Sequence, residues 1–280
     1  MNRLSIALVV TAITIGTGYT LPTNAAIVNV GSDAVKGKIV VSHDVNTLAS
    51  QFGDPMEQLF ATNVAEWLIG SNSGDILAIE SQPSDLTRNY DEDVKNALFN
   101  AGFNVTYESN PANISALSLT DVHNFDALFV GITYPSPSSI NPTVLTQYVN
   151  GGGHVYMYSG VGTSAVVEAS FLNPFLNNFG LSYDTSGYNA ISGVNITSSH
   201  PIFDGITGNV LGSGNGQSII DLGTNPNAEI VQFTGNQGVY AVVADEPEPV
   251  PEPLTILGSA TALGVGALLK RESSKKKNKS

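Results

Sequence analysis

Short apolar runs alternate with longer amphipathic stretches between residues 38 and 179. The strand-like runs are 38–42, 75–80, 104–108, 126–132 and 154–158. The helix-like stretches are 57–69, 91–101, 114–122, 141–150 and 163–179, the last interrupted near Pro174. Repeated strand and helix units predict a mainly parallel sheet joined by right-handed crossovers. We therefore expect an α/β fold, a three-layer sandwich with helices on both faces of the central sheet.

The pattern changes after Gly180. Residues 181–244 contain short strand-like segments separated by Gly, Asn and Ser, with a helical period only around Ile202. This predicts β-hairpins added to the edge of the sheet as a β-rich C-terminal extension. Residues 212–216 (GSGNG) lack the lysine and the following helix of a phosphate-binding loop, and we interpret them as a flexible turn.

The N-terminus has the three parts of a secretory signal peptide. Arg3 is the only charged residue among the first 32, an apolar core follows over residues 4–15, and small residues lead to Ala25 and Ala26. Cleavage after one of these alanines would leave a mature chain that begins near residue 27. A retained N-terminal anchor is the alternative.

The C-terminus also has three parts. A Pro- and Glu-rich spacer at 247–253 favours an extended chain. The uncharged segment 254–269 would be about 24 Å long as a helix, slightly short of a typical hydrocarbon core. Lys270 and Arg271 open a lysine-rich tail, 270–280, which would stay on the cytoplasmic side. We therefore predict a transmembrane helix, with the bulk of the chain outside the cytoplasm.

This C-terminal arrangement resembles the PEP-CTERM sorting signal of Gram-negative bacteria. The resemblance is carried by Val250, Pro251, Glu252 and Pro253, by the apolar segment, and by the basic residues from Lys270 and Arg271 onward. It implies that an exosortase recognises the signal at the inner membrane, cuts near Pro-Glu-Pro, and passes the protein to the cell surface or extracellular matrix. An ordinary single-pass anchor is the alternative.

Composition excludes several functions for residues 27–249. This segment has four basic and 22 acidic residues, a net charge of −18, whereas the whole chain carries −13. Such a surface repels nucleic acid phosphates. Cysteine is absent, which removes disulfides, thiol nucleophiles and zinc-thiolate sites.

The central region, 27–246, resembles the class I glutamine amidotransferase-like, flavodoxin-like domains. The resemblance is carried by residues 126–131 (DALFVG), 148–153 (YVNGGG), 154–160 (HVYMYSG) and 200–206 (HPIFDGI). In catalytic members a cysteine lies in the turn after a strand and a histidine follows much later. Here Ser159 is the hydroxyl nearest that turn and His200 stands in the region of the base. The missing cysteine indicates a scaffold without amidotransferase activity.

Several other residues are candidates for a functional site. His43 and Asp44 follow the first strand, where α/β sheets form ligand crevices, so we predict a binding role for them. His123 is interpreted as a surface residue, and Trp67 as part of the core. Acidic residues 91–93 are better explained as a helix start than as a calcium site. No histidine pair has metal-ligand spacing, so no metal or other cofactor is predicted.

Two functions remain open. The first is an exported, non-catalytic module that acts by binding or structural association, with matrix polysaccharide as a possible partner. The second is a secreted hydrolase or carbohydrate-active enzyme that uses a crevice near His43, Asp44, Ser159 and His200, which requires a base within about 3 Å of the Ser159 hydroxyl.

Overall fold

The computed structural model describes residues 37–44, 55–80, 91–132, 140–159, 164–207 and 209–244. The signal peptide, spacer, transmembrane segment and basic tail predicted above lie outside these residues. Among the helices that the model describes, none has the length and apolar character needed to cross a membrane.

The described elements follow the predicted strand and helix alternation closely. The strands are β1 Ile39–Ser42, β2 Gly74–Glu80, β3 Phe103–Glu108, β4 Ala127–Ile132, β5 His154–Ser159, β6 Leu181–Tyr183, β7 Asn189–Asn195, β8 Asn209–Gly216, β9 Ile219–Asp221, β10 Ala228–Thr234 and β11 Gln237–Val243. The α-helices are α1 Pro55–Ile69, α2 Asp91–Asn100, α3 Pro111–Ala116, α4 Leu119–Val122, α5 Pro142–Asn150 and α6 Ala165–Leu176. Short 3-10 helices cover Asn177–Phe179 and Pro201–Phe203.

The main sheet of the described residues has nine strands. Its parallel part has the order β3-β2-β4-β5-β1, and antiparallel β11, β9 and β6 continue it from β1. β10 pairs with the other edge of β11. Ser42 lies opposite Tyr158 on β5 and opposite Tyr240 on β11, which fixes the register at the centre of the sheet. The protein is thus a mixed α/β fold around a mostly parallel sheet.

Each face of the sheet has its own hydrophobic core, because successive strand side chains point to opposite faces. On one face Val40 and Tyr156 pack with Phe60 and Val64 of α1. Trp67 belongs to the same cluster and is 6% exposed, which confirms its prediction as a core residue. The second core is formed by strand residues Val41, Val130 and Met157 with Leu145 of α5 and Leu172 of α6. Each fully buried side chain of this size contributes roughly 1.5–3 kcal/mol.

Two helix predictions differ in detail from the structure. The stretch 114–122 forms α3 and α4 instead of one helix, because Ser118 and Asp121 make a capping box that starts a new helix. α6 continues through Pro174, so the predicted interruption there is wrong. Proline removes only one backbone donor, and Phe175 and Leu176 just beyond it are fully buried, which holds the last turn in place.

The C-terminal extension is β-rich, but its hairpins are not all at the sheet edge. β10 and β11 form a hairpin that joins the main sheet, whereas β7 and β8 form a separate two-stranded sheet among the described strands. Residues 212–216 lie within β8, where Gly214 is opposite Ile191 and Ser213 is opposite Ser192. The interpretation of these residues as a flexible turn was therefore wrong, because pairing with β7 overrides their low intrinsic strand preference.

Candidate functional site

The sheet has a topological switch point at the carboxyl ends of β1 and β5. These neighbouring parallel strands lead to helices on opposite faces, α1 over one core and α6 over the other. Open α/β sheets place ligand crevices at such points. His43 and Asp44 directly follow β1, and Ser159 is the last residue of β5, so three of the predicted site residues share this end of the sheet.

His43 is held by its backbone and fully buried. Its N–H donates to Val239 O at 3.0 Å, and its carbonyl accepts from Gln217 N at 2.9 Å. The ring is 0% exposed, lies edge-on to Tyr240 with ring centres 6.1 Å apart, and neither ring nitrogen has a hydrogen-bond partner within the described residues. Burial lowers the pKa of His43 to about 4, an effect that the nearby Val239 carbonyl opposes in part. The imidazole is therefore neutral near pH 7.

The turn around His43 is supported by tyrosine hydroxyls from β5 and β6. Tyr156 OH donates to Ser42 Oγ at 2.9 Å, and Tyr183 OH donates to the Ser42 carbonyl at 2.7 Å. Ser42 Oγ in turn donates to the Asp44 carbonyl at 3.1 Å. Burial, with Tyr156 and Glu168 nearby, raises the pKa of Tyr183 well above its ordinary value. Because Asp44 is also 0% exposed, its side chain is part of the protein interior.

Ser159 belongs to a buried polar network. Its Oγ lies 2.9 Å from Glu168 Oε2 and 2.7 Å from Gln217 Oε1. Tyr188 OH donates to Glu168 Oε1 at 2.7 Å, and Gln217 Nε2 donates to the carbonyls of Ala165 and Asp184 at 2.8 and 2.9 Å. Ser159, Glu168 and Gln217 are each 0% exposed. The network ties β5 and α6 to the segments on either side of the β7–β8 hairpin.

The orientation of the Gln217 amide decides what Ser159 can do. Because Nε2 faces two carbonyl oxygens, the other amide atom must be the oxygen, and it faces Ser159 as an acceptor. The serine hydroxyl has a single hydrogen and two acceptor neighbours, Glu168 and Gln217. Neither neighbour is a general base of the histidine type, so this arrangement positions the serine within the core instead of activating it.

His200 lies at the other end of the sheet. Its Nδ1 accepts from Ile202 N at 3.4 Å, and its ring packs against Trp67 with ring centres 5.0 Å apart. The Trp67 carbonyl accepts from Lys38 Nζ at 2.7 Å, which places this group at the amino end of β1. The four residues of β1 lie between Lys38 and His43, which sets the two roughly 16 Å apart along the strand. The structure therefore does not bring Ser159 and His200 together.

The remaining candidates lie at the ends of α4 and α2. His123 is exposed at the end of α4, as predicted, with Nδ1 2.8 Å from the Thr120 carbonyl. α2 begins at Asp91, which confirms the helix start predicted for the acidic residues 91–93. Within the described ranges no group of three or more His, Asp or Glu side chains could hold a metal ion.

Glu168 and Gln217 are the members of the network that the sequence did not indicate. Glu168 could have been found from its position, since it follows Ala165 by three residues and precedes Leu172 by four, on the buried stripe of α6. A glutamate on such a stripe predicts a buried polar partner. Gln217 has no comparable signal, because it lies in a short link between β8 and β9.

The described fold and site define a mixed α/β protein with a buried polar cluster at the carboxyl ends of its central strands. No family model, no curated protein and no solved structure matched the chain in the comparisons.

Proposed function

We propose that this chain is an exported, non-catalytic module that acts by binding or structural association at the cell surface or in an extracellular matrix. The observation that carries the non-catalytic part is the state of Ser159. Its hydroxyl contacts Glu168 and Gln217, is 0% exposed, and has no histidine partner among the described residues. A serine nucleophile of the triad type needs an imidazole base and access to substrate, whereas Ser159 is buried beside a Glu168 carboxylate that also accepts from Tyr188.

The strand order supports an amidotransferase-like, flavodoxin-like arrangement for 27–246. The flavodoxin order is 2-1-3-4-5. Strands β2, β3, β4 and β5 take the places of strands 1, 2, 3 and 4, and β1 takes the fifth place. In this proposal the chain keeps the three-layer scaffold, while Ser159 is a structural side chain close to the position where catalytic members carry their nucleophile.

The export part rests on the sequence at both ends. The signal peptide at 1–26, the spacer with Val250, Pro251, Glu252 and Pro253, the apolar segment 254–269 as a transmembrane helix, and the tail from Lys270 and Arg271 favour a PEP-CTERM-type route. In this route an exosortase is the sorting partner and the inner membrane holds an intermediate. The net charge of −18 over 27–249 keeps the exported domain away from nucleic acid.

A fluorophosphonate probe tests the non-catalytic assignment, because it reacts with activated serine hydroxyls. We expect no labelling of Ser159 in the native exported protein at a concentration that labels a serine hydrolase completely. Labelling that is present in the native protein, lost in Ser159→Ala and retained in Ser170→Ala would contradict the proposal. Ser170 is the matched control because it is an exposed serine on α6.

A further inference from the structure

A cavity of about 410 Å³ opens at the amino ends of β4 and β5, the end of the sheet opposite His43 and Ser159. Its volume falls within the range of small-molecule sites. The lining residues are Ile69, Leu119, His123, Phe125, Asp126, Gln147, Tyr148, Gly151, Gly152, Gly153 and His154. They come from α1, α4 and α5 and from the two segments that enter β4 and β5, so the fold itself assembles the cavity.

Gly153 allows the chain that enters β5 to pass close to the Tyr148 ring, which forms one wall of the cavity. Tyr148 is 3% exposed and its hydroxyl donates to Phe125 O at 2.8 Å, which fixes the ring beneath the chain that enters β5. A Cβ on Gly153 would collide with this ring, so only glycine allows the close approach. Tyr148 is therefore a fixed part of the cavity wall.

His154 supplies a hydrogen-bond donor with a defined tautomer. Its Nδ1 accepts from Lys38 N at 2.9 Å. Burial, followed by the charge of Lys38, lowers the pKa of His154 to about 4, while Asp126 opposes the shift. The ring is neutral near pH 7 with its hydrogen on Nε2. The Nε2–H group can therefore donate a hydrogen bond to a ligand oxygen.

The other polar groups of the lining add acceptors and a second donor. Asp126 is exposed, and its Oδ2 accepts from Asp75 N at 2.8 Å, which leaves Oδ1 to accept from a ligand. Gln147 is exposed on α5, and its amide offers one acceptor and two donor hydrogens. His123 Nδ1 lies 2.8 Å from the Thr120 carbonyl, so Nδ1 carries a hydrogen and Nε2 is the ring nitrogen left for a ligand. The lining thus offers a ligand both hydrogen-bond donors and acceptors.

The lining also has an apolar side and little charge. Ile69, Leu119 and Phe125 provide hydrocarbon surface, and Leu119 is 39% exposed. Asp126 is the single carboxylate among the lining residues, which disfavours anions, and the described residues offer no metal-binding group. A ligand that matches these features has several hydroxyl groups, no charge, and a C–H face.

With the binding role proposed above as its basis, we propose that this cavity binds a neutral sugar unit, the end or a branch of a glycan. Asp126, Gln147 and His154 contact its hydroxyl groups, and Leu119 and Phe125 cover its C–H face. His123 contacts a further hydroxyl group at the rim.

Histidine side-chain NMR of the exported protein tests this directly. Methyl α-glucopyranoside, methyl α-galactopyranoside and methyl α-mannopyranoside are the neutral probes, and glucuronate and glucosamine are the charged comparators. We expect saturable shifts of the His154 and His123 signals with at least one neutral glycoside. Gln147→Ala should weaken that affinity about fivefold, the effect of one lost neutral hydrogen bond. Asn96→Ala, an exposed residue on α2, is the matched control and should leave the affinity unchanged.

Three outcomes overturn the assignment of the cavity: no saturable shift with any neutral glycoside, binding of only the charged comparators, or equal weakening by Asn96→Ala and Gln147→Ala. Co-sedimentation with isolated extracellular matrix separates this assignment from the broader function. If the protein co-sediments but no neutral glycoside shifts His154, the cavity proposal fails and the binding role stands. If the protein neither co-sediments nor binds a glycoside, both fail.

Discussion

At the scale of single residues, the main feature is a set of buried polar side chains at the carboxyl ends of β1 and β5. Ser42, His43, Asp44 and Ser159 are all 0% exposed. Burial of polar groups is costly unless hydrogen bonds replace the lost water. The serines have such bonds, whereas the His43 ring has none within the described part of the chain. His43 should therefore make stability depend on pH.

We predict that His43 destabilises the fold as the medium becomes acidic. The folded-state pKa of about 4 lies below the ordinary value of 6.5, so the unfolded chain binds more protons between these values. The free energy of unfolding should consequently fall as pH decreases from about 6.5 to 4, by up to about 3 kcal/mol from this residue. Urea unfolding at a series of pH values measures this dependence.

A substitution by phenylalanine removes the titrating group at nearly the same volume. Between about pH 6.5 and 4, the free energy of unfolding of His43→Phe should depend less on pH than that of the wild type. Some dependence should remain because burial also lowers the pKa of His154. His123→Phe, the same change at an exposed histidine, is the matched control and should retain the pH dependence that His43 causes. If His43→Phe and the wild type show the same pH dependence, the His43 ring is not held neutral in the folded state and the prediction is contradicted.

The position of Ser159 could be predicted from the sequence, but its partners could not. A strand followed by Gly160 placed the serine at a sheet end. Glu168 and Gln217 reach it from a helix and from a link 58 residues further along the chain. Such distant partners depend on tertiary packing, which local periodicity does not encode. His123 and His154 share a cavity for the same reason, because each lies at the amino end of one of two neighbouring strands.

At the scale of elements, a buried side chain of β10 binds the segment that follows β7 to the main sheet. Gln232 of β10 is 3% exposed, and its Oε1 accepts from Thr197 N at 2.9 Å and from Ser198 N at 3.1 Å. Its Nε2 donates to Asn195 O at 3.3 Å and Phe233 O at 2.6 Å. These bonds hold the segment that follows β7 against the edge strand.

We predict that Gln232→Ala loosens this segment and leaves the parallel sheet intact. Loss of the amide removes partners from buried backbone groups, which should cost about 2–3 kcal/mol. Hydrogen exchange should accelerate at Thr197 and Ser198 and remain slow in β4 and β5. Glu229→Ala, an exposed position on the same strand, is the control and should change neither. Equal acceleration across the whole sheet would contradict a local role for Gln232.

The parallel strands were easier to predict than the extension because their apolar runs are buried on both faces. Residues 127–132 and 154–159 show nearly continuous apolar character, which turns and helices do not share. β8 contains Gly, Ser and Asn at positions that resemble a turn. Its strand conformation is determined by pairing with β7, a contact that becomes visible only in the folded chain.

At the scale of the whole molecule, the proposal of an exported protein is based on the two ends of the chain and on its acidic centre. The four basic residues within 27–249 contrast with a tail that begins with Lys270 and Arg271. This separation of charge suits a chain whose tail stays inside while its domain faces outside. The strongly acidic composition of residues 27–249 also favours solubility.

Intact-mass measurement of the exported protein tests the central claim most directly. The same gene is expressed in a host with an exosortase and in the matching host from which it has been deleted. We predict that protein from the first host ends near Pro251, Glu252 and Pro253 and lacks 275–280, whereas protein from the second retains them. An identical mass that includes 275–280 in both hosts would contradict sorting through this C-terminus.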